Sequence, residues 1–233
     1  MPIWDDVIGS SDRTSFAKGY SADEYVGFGE RPAVLVVDMC RAFVEDAYPT
    51  GNSRHGRPTA AAIARLLAAA RETAVPVLFT TYSARDFAYG WARWKGKALS
   101  DPLMHSETAF EIVPELRPRP GERVIVKTMP SGFFGTPLAS LLTFLGVDTC
   151  IVTGMVTSGC VRATVVDAFS HNYRVVVPEE CVADRGELSH KVNLFEIHMK
   201  YGDVRPLADV LDHLGRVSRT AHGAVGAGAP ATR

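Results

Sequence analysis

Residues 32–38 read PAVLVVD, a continuous apolar run that ends on a carboxylate. A run this short without polar alternation predicts a strand covered on both faces, as in a parallel sheet, with Asp38 at its carboxyl end. Residues 58–73, PTAAAIARLLAAARET, begin with proline, are dense in alanine and leucine and finish polar, which predicts a helix. A second apolar run, VPVLFTT, follows over 75–81. The alternation then recurs as strand 123–127 (RVIVK), helix 136–146 (TPLASLLTFLG), strand 149–154 (TCIVTG), a helix from about 160 to 171, and strand 173–178 (YRVVVP). Parallel strands need crossover connections, and these are right-handed almost without exception. The predicted class is therefore α/β, a three-layer doubly wound and mostly parallel sheet. Ligands on such sheets bind beyond the carboxyl ends of the strands.

Two stretches fall outside this pattern, an amino-terminal extension over 1–30 and a flexible tail over 216–233 that is rich in glycine and alanine, and they leave one domain over 31–215. Segment 82–100, YSARDFAYGWARWKGKALS, lacks clear periodicity and is expected to be a lid or a contact loop.

Composition narrows the partners. The 25 basic and 26 acidic residues are spread along the 233-residue chain, so no footprint for nucleic acid or an anionic membrane stands out and a small soluble ligand is expected. No apolar run approaches the roughly 20 residues that span a bilayer, and the amino terminus lacks the apolar core of a secretory signal, so a cytoplasmic location is expected. The four cysteines, Cys40, Cys150, Cys160 and Cys181, are irregularly spaced without a C-x-x-C pair, which predicts free thiols.

Asp38 and Lys127 close predicted strands, and Cys160 comes just past another, so all three converge on the edge where such sheets hold ligands. Cys160 follows the turn TGMVTSG and precedes the apolar-periodic VRATVVDAFSH, which puts it in the first turn of a helix. The helix dipole, free N–H groups and a nearby lysine are expected to depress its pKa, making it the one strongly acidic thiol, and the N–H groups can also hold an oxyanion. Each residue taken alone has an ordinary reading as well: a small core cysteine, a solvated or capping aspartate, an exposed lysine. Only their convergence favours chemistry.

The segments VVDMCRAFV, KTMPSGFFGTPL and TGMVTSGCVRATVVDAFSHNYRVVVPEECVADR resemble the isochorismatase-like cysteine hydrolases over roughly residues 30–215. The resemblance implies Asp38 as general base, Cys160 as nucleophile and Lys127 as the cation that supports developing charge. It also implies a non-proline cis peptide between Met155 and Val156, with the N–H groups of Val156 and Cys160 forming the oxyanion hole. The block CVADRGELSHKVNLFEIHMKYGDV is most similar to the branch that includes N-carbamoylsarcosine amidase. That implies a cysteine-dependent amidohydrolase releasing ammonia from a small linear amide or ureido acid, assembled as a homo-oligomer, a tetramer in the family, and working without a cofactor.

Arg185 offers a bidentate fork for a substrate carboxylate, or else an ion pair with Asp184 or Glu187. Phe133 and Phe134 follow Lys127 closely enough to line a pocket, or they pack the core. Trp91 and Trp94 could cover the pocket, and Thr157 and Ser158 could bond the substrate. The metal-binding D-x-H of nicotinamidases has no counterpart, since the region after Asp38 reads TGNSRHGRP and His55 lacks an acidic residue two places before it; no metal site is expected. Two other readings remain open: hydrolysis of an isochorismate-type vinyl ether, which needs no thiol, and a non-catalytic binding module on the same scaffold.

Overall fold

A computed structural model of the protein describes residues 2–86 and 100–216. Its centre is a seven-stranded sheet made of β1 (Pro32–Val37), β2 (Val77–Thr81), β3 (Arg123–Val126), β4 (Thr149–Met155), β5 (Arg174–Pro178), β6 (Val182–Ala183) and β7 (Asp203–Arg205). The order is β3-β2-β1-β4-β5-β7, with β6 paired to β4, and every pairing is parallel. Ala33, Leu35 and Val37 of β1 enter one core while Val34 and Val36 enter the other. Burial on both faces is why the run shows no alternation.

Helices Leu138–Phe144, Arg162–Ser170 and Glu187–Lys200 supply the first core with residues such as Leu138, Leu142, Val165, Leu194 and Ile197. Helices Ser53–Glu72 and Leu207–Arg216 supply the second with Ile63, Leu66, Leu67, Val210 and Leu214. The long helix begins five residues before the expected Pro58: Asn52 caps it, its side chain accepting from the His55 N–H at 3.2 Å, and Pro58 lies inside. One early proline removes a single N–H, a loss the buried face absorbs.

The amino-terminal stretch, expected outside the repeating pattern, packs onto it. Trp4 and Ile8 belong to the first core, and Trp4 meets Phe195 edge-on at 6.1 Å. The N–H groups of Val26 and Gly27 donate to the Asp203 carboxylate at 3.0 and 2.8 Å, which anchors the segment to β7. The tail beyond 216 lies outside the described residues, as do Trp91, Trp94 and most of the 82–100 segment.

The chain winds outward from β1 to β3 on one side and from β4 to β7 on the other, so the strand order reverses between β1 and β4. A crevice opens there at the carboxyl ends. Register places Val37 opposite Gly154, whose φ is +112°. A Cβ built on Gly154 would lie 1.9 Å from the Val37 carbonyl oxygen, so only glycine lets the two strands close at the crevice. Gly154→Ala should therefore lower the unfolding free energy by about 3 kcal/mol or more, the range of strained backbone and core clashes. Urea unfolding checks this, and a loss under about 0.5 kcal/mol would contradict it.

Candidate active site

Three adjacent parallel strands each present the residue that follows them: Asp38 after β1, Tyr82 after β2 and Lys127 after β3. The backbone stays in register to that point, with the Asp38 N–H donating to the Thr80 carbonyl at 3.1 Å and the Lys127 N–H donating to the Thr81 carbonyl at 2.9 Å. Asp38 adopts φ +51°, a left-handed conformation aspartate tolerates better than most residues, which turns the chain away after the strand.

Lys127 Nζ lies 2.7 Å from Asp38 Oδ2, and both side chains are fully shielded from solvent. The ammonium also donates to the Met129 carbonyl at 3.0 Å and sits 3.7 Å above the centre of the Tyr82 ring. The Thr80 hydroxyl donates to Asp38 Oδ1 at 2.7 Å. Oδ2 accepts no hydrogen bond of regular geometry, so attraction to the ammonium alone holds it and a lone pair is left for another donor. A buried ion pair persists only when both charges are compensated this closely.

Cys160 lies in the turn Thr157–Val161, which is kinked at Gly159, directly before helix Arg162–Ser170. The Met155–Val156 peptide at the end of β4 is cis. Cys160 Sγ is 3.4 Å from the Tyr82 hydroxyl, and the Asp38 carboxylate is near enough for its charge to act on the thiol. The expected depression of the thiol pKa does not occur. Burial, with 5% of the residue exposed, and the Asp38 carboxylate push it up to about 12, while Lys127 and the Tyr82 hydroxyl pull the other way and lose. Lys127 is already neutralised by Asp38, so its field at sulfur is largely cancelled. The other three cysteines are buried free thiols that burial pushes up as well, so Cys160 is not an acidic exception.

Two side chains brace the turn that carries Cys160. The Asp184 carboxylate accepts from the Ser158 N–H at 2.6 Å and from the Arg185 N–H at 2.7 Å. The Thr157 hydroxyl, a candidate substrate contact, pairs instead with His190 Nδ1 at 2.8 Å. Burial lowers the His190 pKa, against the opposing pull of Asp184, which favours the neutral imidazole. Arg185 makes no ion pair with Asp184 or Glu187. Its Nε donates to the Thr50 carbonyl at 3.0 Å and its guanidinium lies 5.7 Å from the Phe43 ring centre, while Glu187 pairs with Lys191 at 2.7 Å.

Phe133 packs into the first core. It is buried against His171, its ring 5.2 Å away, and Tyr173. His171 caps the far end of the helix that Cys160 precedes, roughly 16 Å away at the helical rise. Phe134 is 65% exposed. His55 lines a cavity of about 440 Å³ together with Glu180, Asp184, Glu187, His190 and Lys191, and none of Asp38, Lys127 or Cys160 borders it. Among the described residues no group of three or more His, Cys, Asp or Glu could hold a metal ion, and no helix is long and apolar enough to cross a membrane.

Sequence patterns alone do not single out Tyr82, Thr80, Asp184 and His190. Tyr82 does carry a signal: it follows the run VLFTT just as Asp38 follows PAVLVV.

The isochorismatase domain model matches residues 32–209, most of the chain. The chain belongs to the isochorismatase family. It is 36% identical to the maleamate amidohydrolase of Pseudomonas putida, covering 88% of this chain and 97% of that one. It is also 36% identical to the N-carbamoylsarcosine amidase of an Arthrobacter species, covering 81% and 73% respectively. A solved isochorismatase family protein from Desulfovibrio vulgaris superposes with a TM-score of 0.69 at 31% identity, over 81% of this chain and all of that one.

Two outcomes are expected of this isochorismatase-family site. Lys127→Met leaves the Asp38 charge buried and uncompensated and should cost about 3–5 kcal/mol in urea unfolding, whereas adding Asp38→Asn should recover most of the loss. A single-variant cost under about 1 kcal/mol would contradict the pairing. Because the thiol is raised, the thiolate is scarce at neutral pH and grows about tenfold per pH unit up to the thiol pKa. Iodoacetamide labelling of Cys160, followed by peptide mass spectrometry, should climb without a plateau from about pH 7 to pH 10; a plateau near pH 7 would show an acidic thiol instead.

Proposed function

We propose that this chain hydrolyses a small carboxylate-bearing amide or ureido acid through a thioester on Cys160, releasing ammonia. Family membership and relatives named as amidohydrolases support the reaction class. The observation that carries the mechanism is the buried meeting of a thiol, a carboxylate and an ammonium: Asp38 Oδ2 is held by Lys127 at 2.7 Å, and the charge of Asp38 acts on the Cys160 thiol.

In this reading Asp38 takes the thiol proton as Cys160 attacks the amide carbon. Backbone N–H groups of Val156 and Cys160 hold the oxyanion. Asp38 then returns the proton to the departing nitrogen, so ammonia leaves neutral, and afterwards it activates the water that cleaves the thioester. Lys127 keeps the carboxylate compensated while protons pass through it. The cycle closes without a cofactor. A vinyl-ether hydrolase would leave the thiol without a task.

Arg185 is the proposed carboxylate clamp. One guanidinium nitrogen is tied to the Thr50 carbonyl and the group lies over Phe43, leaving Nη1 and Nη2 without described partners. Its neighbour Asp184 grips the Ser158 N–H, so the clamp and the nucleophile turn share one brace. The reading extends to a homo-oligomer, supported by apolar side chains left on the surface at Phe134 and Phe144.

Ammonia release from maleamate, N-carbamoylsarcosine and the neutral analogue crotonamide tests the proposal. Cys160→Ser should abolish turnover, and a wild type that releases no ammonia from the acids or from related ureido acids would overturn the reading. Arg185→Ala should lower kcat/KM for the acids by tens to thousands of fold, with Arg185→Lys in between: Arg185, exposed in the free protein, would be covered by the bound carboxylate, truncating one member of a covered charge pair costs about 2–5 kcal/mol, and a point charge cannot replace the fork. Crotonamide should be poor throughout and lose little further. Equal losses for acid and neutral amide, together with a lower Tm, would make Arg185 structural.

A further inference from the structure

Tyr82 joins the ammonium of Lys127 to the sulfur of Cys160, and the thioester cycle alone gives it no task. It is 2% exposed, and its ring is held edge-on to Phe43 and Phe110, with centroids 6.2 and 6.1 Å away, and beneath Lys127. A ring fixed this way leaves only the O–H torsion free. The hydroxyl oxygen lies 3.4 Å from the Met129 carbonyl oxygen and 3.4 Å from Cys160 Sγ, yet it has one proton for the two.

We propose that Tyr82 holds the nucleophile in its reactive form, its O–H turning from the Met129 carbonyl onto Sγ when Cys160 becomes a thiolate. The inference rests on the thioester reading and adds a donor to it. A thiol sulfur is a weak acceptor, so in the resting site the carbonyl keeps the proton; a thiolate is charged and the stronger acceptor. Met129 is not left bare by the turn, because its carbonyl also accepts from Lys127 Nζ at 3.0 Å. Burial and the neighbouring thiol and carboxylate keep the phenol protonated, so it acts as a donor and never as a base.

The step balances. The S–H bond breaks with its electron pair remaining on sulfur, the proton goes to Asp38, and the Tyr82 proton stays on its own oxygen. When sulfur bonds the acyl carbon its charge is gone and the hydroxyl turns back. The groups around Sγ are then Asp38 as acceptor, Tyr82 as neutral donor and Lys127 as a cation already engaged, with Cys40 raising the Tyr82 phenol further.

Tyr82→Phe keeps the ring under Lys127 and removes only the donor. At any fixed pH, iodoacetamide labelling of Cys160 should slow about tenfold, the equivalent of one hydrogen bond to a charged acceptor, and kcat for ammonia release should fall at least as far with KM little changed. Site-specific 3-fluorotyrosine at position 82, a stronger donor of nearly the same size, should move labelling the other way and faster. Wild-type labelling and kcat in Tyr82→Phe would overturn the assignment. Should that variant unfold, the fluorotyrosine protein decides, and unchanged or slower labelling there overturns it. Failure of the thioester reading is visible separately: hydrolysis that survives complete alkylation of Cys160 removes the nucleophile, whatever the Tyr82 variants do to labelling.

Discussion

The contact on which the rest depends is the 2.7 Å ion pair between Asp38 and Lys127, two full charges with no exposed side-chain surface. Taking such charges out of water costs several kcal/mol each, and their attraction offsets that only when the remaining polar valences are filled. Thr80 fills one on the carboxylate, and Met129 and the Tyr82 ring serve the ammonium. Each compensating group comes from β2, the residue after it or the loop after β3, so the pair requires three strands to end at the same height. The parallel register supplies that condition, and a slip by one residue would turn one charge into the core alone.

Cys160, the proposed nucleophile, arrives from the other side of the topological reversal. β4 is the neighbour of β1, and Gly154 lets it approach the Val37 carbonyl more closely than any other residue would. Position there comes from backbone contact rather than side-chain flexibility. Asp184 and His190 then fix the turn by bonding Ser158 and Thr157, residues shortly before the sulfur. A turn braced at two points aims Sγ with little freedom, which is what a short-range attack demands.

The strands β1, β2 and β4 are legible in the sequence because burial on both faces leaves uninterrupted apolar runs, and β3, an edge strand with Val124 and Val126 exposed, is still a short apolar run; residues that close such runs meet at one edge, which is why Asp38 and Lys127 can be placed together from residue order alone. Later elements are harder to read. Helix Glu187–Lys200 carries polar residues along the amino-terminal segment that covers it, and β7 is only three residues long, so neither gives a strong period. The direction in which Phe133 points depends on a turn that its residue types do not specify, and the choice of Thr50 as the partner of Arg185 spans 135 positions. The sign of the Cys160 shift is not legible for a physical reason: a helix terminus and a lysine both argue for an acidic thiol, but their effect is decided by burial and by whether the lysine is already paired.

A protonated thiol in the resting site is compatible with catalysis because only stabilisation that grows toward the transition state accelerates the reaction. A thiolate formed in advance would need the site to hold one more buried negative charge beside Asp38, which the single ammonium cannot compensate. Keeping the proton on sulfur until an amide carbon is present leaves the site neutral overall while it waits. In the proposed cycle, when the proton passes to Asp38 the number of negative charges does not change; the charge moves from carboxylate to sulfur and on to the substrate oxygen, and Lys127 is freed from a strong partner just as charge develops. Proton transfer and attack are thereby tied to one another by the electrostatics of a closed, dry site, and a buried thiol pushed up to about 12 is the resting half of that coupling.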